Sequence, residues 1–438
     1  MENPKPNLRY AWYVVFVLML AYVSSFIDRQ ILSLLVKPMK RDLHLSDTQM
    51  SLLMGFSFAI FYTFLGIPIG RLVDGYNRRR IVSWGIAIWS LTTAVCGLVH
   101  SYGLLFLARV GVGVGEAALS PGAYSIITDY FPKNKLATAI SVYSMGIFLG
   151  SGLAILIGGL VLKLVTVQST WHLPLIGEIY PWQSVFFIVG LPGLLCVLLM
   201  QTIKEPKRKG ASQGQIPMNE VFSYLKANWK PFLLQNLGTG FIALTNYATV
   251  AWVPTFFDRV HGWEASKTGI LFGLSVTVFS TLGIVVGGRT ADYLLEKGYT
   301  DAKLRAGIIS AIGLIVFGTI YLVVPSPEVA LLLLIPSNFF SAFAFGAAPA
   351  AMQEAMPNQM RGIGSAIYLF IVNLVGIGLG PTSVALITDF VFHDESLLRY
   401  SMIIVSLGSC LLALLCLTLG LKPYRQTLAR LAQRQGGL

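Results

Sequence analysis

Apolar runs recur along the whole chain with short polar breaks between them, each long enough to cross a hydrocarbon core, which takes about 20 helical residues. There are twelve, at approximately 10–36, 48–72, 80–100, 102–129, 135–163, 183–203, 230–257, 267–290, 305–324, 329–355, 362–388 and 397–421. Lipid offers no partner to a backbone amide, so a lone run of this length is predicted to be a helix. The expected fold class is an all-α membrane protein with twelve transmembrane helices. The first run extends past the length of a signal-peptide core, with no small-x-small cleavage site ahead of Asp28 and Arg29, and is expected to remain as the first span.

An internal repeat organises these spans. Gly70-Arg71-Leu72-Val73-Asp74 closes the second, Gly288-Arg289-Thr290-Ala291-Asp292 closes the eighth, and the two aspartates are 218 residues apart in a chain of 438. Tyr130-Phe131-Pro132 after the fourth span has a counterpart in Ala355-Met356-Pro357 after the tenth. Two parallel six-helix halves are therefore expected, residues 1–203 and 230–421, with a solute site between them. Residues 204–229, rich in Lys, Pro, Gly and Gln, form the cytoplasmic linker, and residues 422–438 a basic amphipathic tail at the cytoplasmic surface. Residues 164–182 make the longest connection on the other side, where the runs flanking Ile176-Gly177 are expected to pair as a small hairpin.

Composition agrees with a chain that lives in lipid: 55% of residues are hydrophobic and 12% charged, against about 25% charged in a soluble domain. A net charge of +12 raises the question of nucleic acid, and the distribution of charge answers it. With the N-terminus in the cytoplasm, 23 of the 32 Lys and Arg fall on that side and seven on the other. This is the positive-inside pattern; no nucleic-acid partner is needed, and both termini are expected in the cytoplasm. Cys96, Cys196, Cys410 and Cys416 sit in apolar runs without metal-like spacing and read as small hydrophobes. The chain has no H-E-x-x-H, and its five histidines lie in loops or at span ends. Neither an enzyme nor a bound metal or cofactor is expected.

Charge inside the spans carries the chemistry. A charged side chain at the bilayer centre costs at least ~2.5 kcal/mol, so it is expected to face a cavity or a partner. Asp28 lies roughly 8 Å beyond the centre of the first span and Arg109 roughly 9 Å from the centre of the fourth on the same side, at 1.5 Å per residue. Glu116, seven residues after Arg109, lies on the same helix face near the midplane. If the first and fourth spans are neighbours, Asp28, Arg29, Arg109 and Glu116 form one polar network, as a functional site or as a structural ion pair. The glycines of Arg109-Val-Gly111-Val-Gly113-Val-Gly115-Glu116 let a neighbouring helix approach closely. The second half has no deep charge. Its polar and aromatic candidates are Thr245, Asn246, Tyr247 and Trp252, then Asn338 and Phe345, then Asn373.

The loop Gly70-x-x-x-Asp74-Gly75-Tyr76-Asn77-Arg78-Arg79-Arg80 resembles the G-x-x-x-D-R-x-G-R-R motif of the major facilitator superfamily, with Gly75 and Asn77 as departures. The resemblance implies that Asp74, with Arg78, braces a cytoplasmic gate and that Asp292 is a weaker counterpart. Asp28-Arg29, Leu45-Ser46-Asp47-x-Gln49 and Arg109-x-Gly-x-Gly-x-Gly-Glu116-Ala117 are similar to the spinster branch of that superfamily, and the compact chain looks bacterial. That likeness implies proton coupling at Asp28, with Glu116 as the rival site, and substrate binding at Arg29 and Arg109. Asn246, Tyr247, Asn338 and Asn373 would face them. Gly146-x-x-x-Gly150-Ser151 is similar to an antiporter motif but lacks its proline.

The expected protein is a secondary transporter working by alternating access in a bacterial plasma membrane, as a monomer. One charged wall facing an aromatic and polar wall suits a small amphiphilic anion such as a lysolipid or sphingolipid-like molecule, moved with protons. The alternatives are a proton symporter of small carboxylates and, from another class, a membrane receptor or scaffold.

Overall fold

The computed structural model describes residues 8–165, 171–173, 177–206, 208, 218–357 and 360–436; a few helical side chains, that of Asp74 among them, are outside the described set. Among the described residues, ten helices are long and apolar enough to cross a membrane: Leu8–Leu34, Asp47–Gly66, Tyr102–Tyr130, Val142–Leu164, Pro181–Thr202, Ala265–Glu296, Ala302–Val323, Pro327–Glu354, Ile363–Phe392 and Glu395–Gln433. Arg78–Cys96 and Trp229–His261 complete the twelve, as the third and seventh spans. Both are diluted by polar residues: three arginines open the third, and Gln235, Asn236, Thr239, Thr245 and Asn246 punctuate the seventh.

The helices divide into two compact units, one of Met1–Ala211 with Trp263–Thr277, the other of Ser212–Gly262 with Val278–Leu438. The opening of the eighth span, Ala265–Ser275, falls in the first unit because it lies against the fifth. Glycine makes that approach possible: a Cβ on Gly159 would come within 2.8 Å of the Ser266 carbonyl oxygen, and one on Gly273 within 2.5 Å of the Leu156 nitrogen. The same device seats the fourth span on the third, where a Cβ on Gly115 would meet Trp89 N at 2.6 Å and Gly85 O at 2.7 Å. Gly146 and Gly150 of the fifth span face Tyr22 and Phe26 of the first, so this row is a packing seam.

Several spans are not uniform α-helix. The first changes from α-helix at Leu8–Gln30 to a 3₁₀ turn at Ile31–Leu34. The second runs through Asp47–Ser51, a π-helical turn at Leu52–Phe56 and Ser57–Gly75. Its start is fixed by a capping box: Ser46 Oγ accepts from Gln49 N, and Gln49 Oε1 accepts from Ser46 N. Further π turns lie at Val276–Ser280, Leu374–Leu379 and Ile387–Phe392. Outside the spans, β1 (Trp171–Leu173) and β2 (Gly177–Ile179) pair antiparallel with Trp171 opposite Ile179, which forms the expected hairpin but with Gly177 inside a strand.

The chain end differs from the expected separate tail. A single helix, Leu398–Gly436, of 39 residues and roughly 58 Å, runs through the last span and onward. Its extension is docked within the second unit. Tyr424 is fully buried and donates to Ala351 O at 3.0 Å, Thr427 donates to Asn228 Oδ1 at 3.2 Å, and Arg425 pairs with Asp301 at 3.4 Å. These contacts explain why a segment with a basic pattern does not simply lie on a surface.

Candidate functional site

The four intramembrane charges come together in the first unit, with partners that differ from the depth match. Arg29 in the first span and Glu116 in the fourth form the ion pair, at 2.5 Å from Nη2 and 2.6 Å from Nε to Glu116 Oε2. Ser25, one turn before Arg29, donates to the same oxygen at 2.5 Å. The Arg29 guanidinium also lies over three rings, 4.6 Å from the centroid of Phe26, 4.2 Å from Phe58 and 4.9 Å from Tyr62. A guanidinium keeps its charge, so removing it from water requires this combination of carboxylate, hydroxyl and ring faces. Beside it, Tyr22 stacks on Tyr143 with centroids 4.7 Å apart, and Tyr124 meets Tyr143 edge-on.

Asp28 and Arg109, matched in depth along their spans, share no side-chain hydrogen bond among the described residues. Arg109 is fully buried and donates to main-chain carbonyls, from Nη1 to Asp28 O at 3.1 Å and from Nε to Leu53 O at 3.4 Å. Both acceptors lie where helix geometry changes, ahead of the 3₁₀ turn in the first span and inside the π turn of the second. Departures from the i→i−4 ladder leave carbonyls under-satisfied, and a buried multi-donor cation answers two of them. The Asp28 carboxyl, also fully buried, has no hydrogen-bond partner for either oxygen among the described residues. Glu116, Arg109, Arg29 and the Thr93 hydroxyl lie within electrostatic reach of it.

At the loop after the second span, Asp74 lies in the last turn of Ser57–Gly75, with its side chain outside the described set. Arg78 is 1% exposed and cross-links one unit from within. Its Nε pairs with Glu205 at 2.7 Å, Nη1 with Asp129 and, at 2.9 Å, with Ser125 Oγ, and Nη2 donates to Pro206 O at 2.7 Å. Glu205 Oε2 also accepts from Arg79 N at 2.9 Å, a carboxylate at a helix N-terminus, while Asn77 Oδ1 caps Arg80 N at 2.9 Å. At the other end of this loop, Arg208 donates to the carbonyls of Val73 and Tyr76, capping the second span. Sequence reasoning missed Glu205, Asp129 and Ser25. The available signals were an acidic residue directly after the sixth span and a hydroxyl one turn before Arg29. Asp292 is exposed at the end of Thr281–Glu296.

In the second unit, Asn246 donates to Ser341 Oγ at 2.9 Å, and Ser341 in turn donates to Asn338 O at 2.8 Å, so the seventh and tenth spans share a short polar chain. Asn338 is 3% exposed, whereas Tyr247 and Asn373 are partly exposed. Thr245 and Trp252 serve packing: Thr245 bonds Ser409 at 2.6 Å, and the buried Trp252 indole donates to Pro381 O at 2.9 Å.

Twelve spanning helices with buried, incompletely satisfied charges in one unit define a multi-pass membrane transporter. Residues 18–381 match the Major Facilitator Superfamily, and the chain belongs to it. Within that family it is similar to spinster proteins. The crystal structure of a bacterial homolog to the human lysosomal transporter Spinster, inward-facing and unoccupied, superposes with a TM-score of 0.77 at 28% identity, covering 98% of this chain and 99% of that one. An MFS-type efflux pump of Mycolicibacterium smegmatis is 28% identical over 95% of this chain and 94% of that protein. Protein spinster homolog 1 of Xenopus tropicalis is 29% identical over 70% of this chain and 59% of that protein. Family and relatives alike are transporters, and the chain is no enzyme.

Proposed function

We propose that the protein is a proton-coupled secondary transporter of an amphiphilic anion, a lysolipid or sphingolipid-like molecule, working by alternating access as a monomer. Its setting would be a bacterial plasma membrane, with both termini in the cytoplasm. The observation that carries the coupling is Asp28: a carboxyl fully buried in a spanning helix, with neither oxygen hydrogen-bonded among the described residues. A buried carboxylate without hydrogen bonds is costly and a protonated one much less so, which makes the group a natural place to take up and release a proton.

Glu116 is the second acid in the same cluster, and its role would be to hold Arg29. A proton on Glu116 weakens that hold, and the guanidinium, already at the edge of the buried cluster with 8% exposure, becomes available to a phosphate or carboxylate. Arg109 has the weaker claim to substrate, being fully enclosed and turned to main-chain carbonyls. Asn246, Tyr247, Asn338 and Asn373 would contribute polar and aromatic contacts, and Asp74, Arg78 and Asp292 would serve the gate. Likeness to a sphingosine-1-phosphate transporter of Danio rerio, 25% identical over 64% of this chain, supports the amphiphile reading.

The test is reconstitution in liposomes under an imposed pH gradient with lysophosphatidylethanolamine, sphingosine phosphate and a set of small dicarboxylates. Gradient-driven movement of a lysolipid that is lost in Asp28→Asn supports the proposal. Movement of dicarboxylates alone would replace the substrate class, and transport indifferent to the gradient would replace the mechanism.

A further inference from the structure

The short helix Met218–Ala227, just ahead of the seventh span, is fastened to the second unit along one side. Val221 is buried in that unit's core, and Tyr224 and Leu225 pack against it. Tyr224 also donates to Ala355 O at 2.7 Å, at the end of the tenth span. Asn228 then breaks the helix at φ −119° and ψ 28°, and its side chain ties the corner to two elements. Its Nδ2 donates to Tyr224 O at 3.1 Å, and its Oδ1 accepts from Thr427 of the last helix at 3.2 Å. The corner leads from a helix outside the hydrocarbon into a span, so the short helix is held at the membrane surface.

The side turned away from the core carries both apolar surface and positive charge. Phe222 is 64% exposed, and Trp229 and Leu233, one turn apart at the start of the span, are 53% and 41% exposed. Lys226 follows Phe222 by one turn, and Lys230 holds its Nζ 5.8 Å from the Trp229 ring centroid. Both lysines are exposed, and neither pairs with a carboxylate among the described residues. At 100° per residue, the acidic group of this helix, Glu220, points about 160° from Phe222 and about 120° from Lys226. Rings and lysines on one flank with the carboxylate on the other give the polarity of an interfacial helix, in which rings enter the acyl boundary and ammonium groups reach the phosphates. Lys422 and Arg430 of the last helix are exposed as well and add positive charge to this end of the second unit.

We propose that the corner formed by Phe222, Lys226, Trp229 and Lys230 is a docking surface for the headgroups of anionic phospholipids in the leaflet beside the last helix. Trp229 and Phe222 seat the corner at the interface, and the two lysines select for negative charge. The inference is independent of what the protein transports and of which carboxyl takes the proton. Its immediate consequence is that lipid bound here holds the start of the seventh span, which Tyr224 and Asn228 join to the tenth span and the last helix.

The test needs no transport assay. Full-length protein in nonionic detergent is titrated with dioleoylphosphatidylglycerol, or with dioleoylphosphatidylcholine as the neutral reference, and bound lipid is counted by native mass spectrometry. The wild type should bind the anionic lipid more tightly. A lysine near an anionic surface contributes about fivefold, so Lys226→Gln combined with Lys230→Gln should lower phosphatidylglycerol affinity on the order of 25-fold and leave phosphatidylcholine binding within about twofold. Lys226→Arg combined with Lys230→Arg should retain the preference. Lys267→Gln removes another exposed lysine that sits over a tryptophan, 3.7 Å from the Trp263 centroid, and should leave the preference unchanged. An unchanged preference in the double glutamine variant, or an equal loss for both lipids, overturns the proposal. So does a dimer in lipid-free spectra that disappears in Phe222→Ser, which would assign the surface to a second copy of the chain.

Discussion

Replacing Glu116 by glutamine keeps the side-chain shape and one acceptor oxygen while removing the charge that holds Arg29. In the structure that charge meets Nη2 at 2.5 Å, Nε at 2.6 Å and Ser25 Oγ at 2.5 Å, with Glu116 only 1% exposed. Stripping one partner from a buried ion pair costs about 3–5 kcal/mol. Two features offset part of this. The glutamine oxygen still accepts from the guanidinium, a charge-assisted bond of about 1.5–3 kcal/mol, and the rings of Phe26, Phe58 and Tyr62 hold Arg29 in either protein. The expected net loss is about 2 kcal/mol for Glu116→Gln and about 4 kcal/mol for Glu116→Ala, which loses the acceptor as well. Reversible unfolding in mixed detergent measures both. A double-mutant cycle with Arg29→Met should return a coupling of about 2 kcal/mol, since each single change removes the same contact. Stability of Glu116→Gln within about 0.5 kcal/mol of wild type together with a coupling near zero, against the range usual for contacting residues, would refute the ion pair.

Three further outcomes are expected. Asp28→Asn carries the neutral form permanently, so gradient-driven accumulation in liposomes should be abolished while downhill counterflow persists; accumulation retained in Asp28→Asn but lost in Glu116→Gln would move the proton site to the fourth span. Arg109→Lys keeps the charge but cannot span carbonyls on two helices, so unfolding measurements should show a loss of about 1.5–3 kcal/mol, one charge-assisted bond, and an unchanged stability would remove Arg109 as a brace. Gly115→Leu drives a side chain into main-chain atoms of the third span, 2.6 Å from Trp89 N, and should abolish monodisperse protein in size-exclusion chromatography, while Gly103→Ala, with nothing within 4 Å, should not.

The hydrophobic pattern by itself determined the class of fold. Lipid forces each long apolar run to satisfy its own backbone, so the spans were legible without any knowledge of neighbours. The repeated Gly-x-x-x-Asp and the rarity of intramembrane charge likewise marked the loop after the second span and the cluster of Asp28, Arg29, Arg109 and Glu116. Which charge meets which was not legible. Position in sequence gives depth along a helix but not the rotation of one helix against another, and Asp28 and Arg29, adjacent in the chain, point about 100° apart. Depth matched Asp28 to Arg109; rotation gave Arg29 to Glu116 and left the Asp28 carboxyl without a hydrogen bond among the described residues. The same limit hid Glu205 and Asp129, which become partners of Arg78 only when the end of the fourth span and the residues after the sixth converge on one loop. Arg109 depends on a still finer feature, the carbonyls released by a π turn and an α-to-3₁₀ change, which arise from packing between helices. The solvent wrote the spans into the sequence; the partners of the buried charges were set by close contact between helices, where a shift of one ångström decides whether a hydrogen bond exists.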